Sequence, residues 1–213
     1  SRFVADQTFM ENEENVLSSL YGVISVTSVI GAIAALIFYW NSPLPLLYKL
    51  LTYLLFIILM MIWTLSMYVS ALKDYKKIII SYIVGIAVSA FLVWFFVIYM
   101  NWKEVEFVFI GIDIGFLITG FMLLRYVKEY FQINNKKYFQ FLIYVEKYPL
   151  LFLIGLLFYL GLYGHSFIVW QGDYRIVIAD TFVIATYYDI PVFYAYLSIL
   201  PSLILFMVTI ETS

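Results

Sequence analysis

Asp113 is the acid that lies well inside a continuous apolar run, in the segment 107–124. It sits roughly 9 Å from one end of that run at the helical rise of about 1.5 Å per residue. A carboxylate at such a depth is expensive and faces protein or water rather than lipid. Gly111 and Gly115 flank it as a GxxxG pair. Positions 111 and 115 share one helix face and 113 points away from it, so one side packs closely on a neighbour while the other presents the carboxylate to a cavity. Two roles suit that arrangement: a proton or cation site coupled to transport, or a neutral, hydrogen-bonded Asp that only locks helix packing. Pro201 stands near the middle of another apolar run. A proline there removes a backbone hydrogen bond and kinks the helix, which serves equally as a hinge or as a passive bend. Pro191 and Pro149 read as helix starters. His165, the single histidine, reads as a hydrogen-bonded packing residue sooner than as a catalytic or pH-sensing group. Gly85 with Ser89, and Gly31 with Ala35, have the four-residue spacing of small residues at helix contacts.

Other chemistry is largely removed by what the chain lacks. It has no cysteine, hence no disulfide, thiolate nucleophile or Cys-ligated metal. GxxxxGK[ST], HExxH and paired catalytic carboxylates are absent. No cofactor, metal site or catalytic residue is expected, and energy coupling must come from an ion gradient, the substrate or a partner protein.

The elements that hold these residues are apolar throughout. Of 213 residues 65% are hydrophobic and only 12% charged, with mean hydropathy +0.97, whereas a soluble domain carries about 25% charged residues. A soluble enzyme, a nucleic-acid-binding domain and a disordered tail are thereby excluded. Six segments reach the roughly 20 apolar residues of a spanning helix: 16–40, 50–72, 78–100, 107–124, 150–170 and 191–210. Barrel strands alternate over about 10 residues, and these continuous runs do not. The expected fold is all-α, a polytopic membrane bundle of about six helices forming one transmembrane region.

Charge orients the bundle. Arg2, Lys73, Lys76, Lys77, Arg125, Lys128, Lys136, Lys137 and Lys147 fall on one side, against Lys49, Lys103 and Arg175 on the other. The positive-inside rule puts the first group, and both ends of the chain, in the cytoplasm. Trp40, Trp102 and Trp170 mark the outer ends of helices, as interfacial tryptophans do. Within the inner loop 125–149, the run 138–144 is expected in the interface as a short amphipathic helix. The outer loop 171–190 mixes apolar triplets with Asp173, Arg175, Asp180 and Asp189, and is expected to pack over the outer mouth of the bundle. The chain opens on Ser1 without a basic leader and stops directly after an apolar run, which suggests an internal piece of a longer polypeptide.

Three stretches then match a known pattern. Ser1-Arg2-Phe3-Val4-Ala5-Asp6-Gln7-Thr8-Phe9 with Val16-Leu17 and Tyr21-Gly22, the loop Leu72-Lys73-Asp74-Tyr75-Lys76-Lys77, and Tyr188-Asp189-Ile190-Pro191-Val192-Phe193 followed by Ala195-Tyr196-Leu197, Ile199-Leu200-Pro201 and Glu211-Thr212-Ser213 together resemble the Pel exopolysaccharide exporter family (PelG-like). The resemblance implies a flippase- or MATE-like exporter of which these six spans are the central half. It implies an inner-membrane subunit, not an enzyme, that moves a growing amino-sugar-rich polysaccharide out of the cytoplasm. The implied partners are a cytoplasmic glycosyltransferase and membrane regulatory subunits, one of them sensing cyclic-di-GMP; nucleic acid is not among them. A cationic polymer would be drawn to the outer-mouth acids Asp173, Asp180 and Asp189, and some of the many aromatic rings would stack on sugars. Asp113 matches no motif of that family.

Two other readings are open. A membrane scaffold would recruit the glycosyltransferase without forming a pathway, and would show a sealed bundle with Asp113 facing another helix. An intramembrane transferase acting on lipid-linked sugar is the weakest, since it needs convergent polar residues within the spans.

Overall fold

In a bilayer every backbone polar group must be satisfied within the protein, and for continuous apolar runs the helix does this. The computed structural model describes residues 2–10, 12–72 and 74–212; the side chains of Arg2, Ala5, Ala71, Leu200, Pro201 and 203–212 lie outside that description, as do Ser1, Glu11, Lys73 and Ser213. It is an all-α polytopic bundle. Two units divide it, Ser1–Pro149 and Leu150–Ser213.

The first unit begins with a short helix α1 (Arg2–Phe9), followed by α2 (Glu14–Tyr39), α3 (Leu46–Ala71) and α4 (Tyr75–Trp94). A π-helical turn, Phe95–Tyr99, extends α4 and leads to α5 (Val105–Tyr130) and the short α6 (Leu142–Lys147). α5 is central, packing on α4 along one face and on α3 along another, while α3 also packs on α2. Tyr48 meets Phe109 edge-to-face at 5.3 Å, and Leu65 and Leu124 line one small cavity further along. α3 and α5 therefore run parallel.

The core is uneven along these helices. Val16, Leu20, Ile62, Leu65, Val69, Leu123, Val127 and Phe131 are all buried, and they gather at the end that carries Lys76, Lys77, Lys128 and Lys136, called here the basic end. Towards the opposite end the helices part into apolar grooves. One of about 420 Å³ lies between Ala32 and Tyr53 on α2 and α3. Another, of about 610 Å³, is lined by Val93, Trp94, Val97 and Ile98 together with Val108, Ile112 and Phe116 of α5.

The second unit holds α7 (Pro149–Val169), a two-stranded hairpin of β1 (Ile176–Ile178) and β2 (Phe182–Ile184), and α8 (Thr186–Thr212). The strands pair antiparallel with Ile176 opposite Ile184 and Ile178 opposite Phe182. Ala179 and Asp180, with φ of 49° and 47°, make the left-handed turn whose twist matches that of the strands.

Among the described residues five helices are long and apolar enough to cross a membrane: Glu14–Tyr39, Leu46–Ser70, Tyr75–Tyr99, Val105–Tyr130 and Pro149–Val169. The sixth expected segment, 191–210, falls within α8, where the side chains of Leu200, Pro201 and 203–212 lie outside the description. Several local expectations are corrected. α5 continues six residues past the expected 124, because Leu123, Val127 and Phe131 prolong its buried stripe at i, i+4 spacing. The run 138–144 is helical only from Leu142; its first part lies against α2, where a Cβ on Gly22 would overlap the Tyr138 carbonyl. Pro149 does open α7, but Pro191 is the sixth residue of α8 rather than its start. The helix begins earlier because Asp189 accepts from the Ala185 amide at 2.7 Å and caps that turn.

Candidate functional site

The face of α5 that meets α4 is built from small residues. Gly111, Gly115 and Thr119 recur every four residues, opposite Val93, Ser89, Gly85 and Ser81 of α4. A Cβ on Gly115 would overlap Ser89 Oγ and the Gly85 carbonyl, and one on Gly85 would overlap Thr119 Oγ1. Backbones this close allow hydroxyls on one helix to reach carbonyls on the other: Ser89 Oγ donates to the Ile112 carbonyl at 3.3 Å, and Thr119 Oγ1 lies 3.3 Å from the carbonyls of Ser81 and Gly115. Every polar side chain in this seam has an acceptor.

Asp113 is on the other side of α5. It shares a face with Phe109, one turn before it, and with Gly120, two turns after it. Phe109 meets Tyr48 of α3, and a Cβ on Gly120 would come within 3.7 Å of Ile62 of α3. The carboxyl is thus enclosed between two contacts with α3. It is 2% exposed, and among the described residues neither carboxylate oxygen has a hydrogen-bond donor. The expected separation from the GxxxG face is present. The grooves described above are apolar, and Asp113 lines none of them.

Within the second unit, Asp189 is already engaged. Trp170 Nε1 donates to both its carboxylate oxygens at 3.1 and 3.2 Å, beside the Ala185 amide. Asp173 and Asp180 are exposed, Asp180 in the hairpin turn. His165 joins α7 to α8: Nδ1 lies 2.8 Å from Tyr188 Oη and Nε2 lies 3.2 Å from Tyr196 Oη. Tyr196 gives its proton to the Leu162 carbonyl at 2.7 Å, so it must accept from Nε2–H. Nδ1 also lies 3.2 Å from Ser166 Oγ, so both ring nitrogens are engaged, in keeping with a packing role. Pro201 lies in the helical course of α8, with its side chain outside the described residues.

A polar cluster at the basic end was not foreseen. Asn15 Nδ2 donates to Gln7 Oε1 at 2.6 Å, Ser18 Oγ lies 2.7 Å from Oδ1 of both Asn134 and Asn135, and Asn135 Nδ2 donates to Asn15 Oδ1. The same two asparagine oxygens receive the amides of Lys136 and Lys137 at 2.9 and 3.0 Å. α1, α2 and the segment after α5 are tied together by this network. The Asn-Asn pair ahead of Lys136-Lys137 was its visible signal, since asparagine favours such turns.

The whole chain, residues 1–213, matches one family, described as "PelG: Putative exopolysaccharide Exporter (EPS-E)". The chain belongs to this family. It is a membrane protein of polysaccharide export. No curated protein and no solved structure gives a match. Among the described residues no group of three or more His, Asp or Glu side chains is placed to hold a metal ion.

Proposed function

We propose that this chain is an inner-membrane part of an exopolysaccharide export machine that moves the polymer across the cytoplasmic membrane, with its basic end in the cytoplasm. The observation that carries this reading is the PelG family match over residues 1–213. The lysine bias of one end and the tryptophans of the other support the orientation. In this reading a cytoplasmic glycosyltransferase and membrane regulatory subunits meet the basic end, and the exposed Asp173 and Asp180 attract a cationic polymer on the far side. Asp189 takes part only if its hold on Trp170 and Ala185 is released. Asp113 is the candidate for ion coupling, and Pro201 for a hinge in α8. No step of this reading makes the chain an enzyme.

One observation favours a second reading. Asp113 faces α3 in a closed seam and the grooves of the first unit are apolar, as expected of a scaffold that recruits the glycosyltransferase without itself forming the path.

Polymer localisation separates the two. In cells whose chromosomal copy is deleted, export predicts polymer trapped inside and secretion restored by the wild-type gene. Loss of synthesis, with the glycosyltransferase gone from the membrane, would overturn export in favour of the scaffold.

A further inference from the structure

Among the described residues Asp113 has no partner that would make its charge tolerable. Apart from Asp113 itself, no Asp, Glu, Lys, Arg or His occurs in 15–48, 50–72, 78–102 or 107–124, which covers the lengths of α2, α3, α4 and α5 that can lie level with it. The groups nearest along the packed elements are Lys49, Tyr48 and Tyr53 of α3, Lys103 before α5, and Glu106 on α5. The Lys49 ammonium is directed elsewhere, donating to the Ser42 carbonyl at 2.6 Å and lying 3.5 Å from that of Tyr39. None of these groups gives the Asp113 oxygens a donor.

An isolated carboxylate in such surroundings takes up a proton rather than remain charged. A metal cation would not serve instead. Hard cations require several oxygens around them; the Thr119 and Ser89 hydroxyls lie in the other seam, and on α3 the Thr52 hydroxyl is engaged, donating to the Tyr48 and Lys49 carbonyls and accepting from Tyr39.

We propose that Asp113 is a proton-binding site: its carboxyl is the neutral acid while the α3–α5 seam is closed, and it loses its proton to water only when that seam opens. The proton leaves to a water molecule and the carboxylate formed is then solvated. Use of that proton to drive movement rests on the export reading above, whereas the protonation itself does not.

Infrared spectroscopy of the full chain in lipid nanodiscs tests this directly. At neutral pH the wild type is expected to show a protonated-carboxyl C=O band that moves on 13C-aspartate labelling and is unchanged by sodium. Asp113→Asn should abolish it. The isotope shift assigns the band to aspartate in the unmutated protein, so a poorly folding variant does not remove the test. Absence of the band at neutral pH, its disappearance on adding sodium, or its persistence in a folded Asp113→Asn variant would each overturn the proposal. Export assayed in cells stands apart: a protonated Asp113 with wild-type export in Asp113→Asn would sink coupling and leave the proton site intact.

Discussion

Two sets of glycines occupy equally apolar helices and do opposite things. At Gly85 and Gly115 an added Cβ would overlap the neighbouring helix, whereas at Gly155, Gly161 and Gly164 of α7 none of the described residues comes within 4 Å. In α4 and α5 the missing side chain is what lets two backbones meet, and Ser89 and Thr119 then bond across the seam. On α7 the same residue meets no described side chain, and no residue of that helix is buried among the described residues. In the α4–α5 seam glycine marks close backbone approach because what it meets on the facing helix is also small. The largest test of this contrast is Gly115→Val. Its branched side chain would drive α4 and α5 apart, and overpacking of this kind costs about 1–3 kcal/mol or more. Thermal unfolding in detergent should show a clear drop, and wild-type stability would mean that the seam yields and the contrast is false.

The second test concerns polar groups with partners, against Asp113, which has none among the described residues. Asn135→Leu removes the donor to Asn15 and the acceptor for Ser18 and the Lys137 amide. Leaving buried polar groups unsatisfied costs about 1–3 kcal/mol. The segment after α5 should become sensitive to limited proteolysis while α4 and α5 hold. Unchanged cleavage would show that the apolar contacts of Phe131 and Phe141 hold the segment without the network.

How much of this was legible follows from what sequence encodes locally. The helices were visible because a spanning segment is recognised by length and hydropathy alone. Their ends were less so: α5 outruns its hydropathy because Val127 and Phe131 are buried among charged neighbours, and α8 starts before Pro191 because Asp189 reaches back to Ala185. The apolar triplets around Asp180 hid a hairpin, since three-residue strands carry too short an alternation to be read. Asp113 was found by depth, and its separation from the GxxxG face by helical geometry. That its side of α5 is the side packed on α3 depends on which helices are neighbours, and no local pattern states that. The cluster of Gln7, Asn15, Ser18, Asn134 and Asn135 joins residues more than a hundred positions apart, beyond any spacing rule.

A smaller effect is expected at the start of α8. Asp189→Ala removes both the Trp170 contact and the cap on the Ala185 amide, and losing such a cap costs about 1 kcal/mol. Hydrogen exchange should quicken at Ala185 and in the first turn of α8, with the helices of the first unit unaffected. Asp189→Asn, which keeps an acceptor oxygen, should restore most of the protection. If neither variant changes exchange, the turn is held by its backbone bonds from Tyr188 and Asp189 to the Ala185 carbonyl, both 2.8 Å.

The smallest effect returns to the glycines. Gly161→Ala on α7 meets no neighbour among the described residues, and alanine is favoured over glycine inside a helix by about 1 kcal/mol. Stability in detergent should therefore stay level or rise slightly, opposite in sign to Gly115→Val. The informative step is Gly161→Leu in cells. A leucine facing lipid is as comfortable as its neighbours Leu160 and Leu162, so export should be unaffected if α7 meets only lipid there. Loss of export with stability unchanged would mean that another polypeptide approaches α7 at Gly161 as closely as α4 approaches Gly115, and the two sets of glycines would then differ in what they meet rather than in what they do.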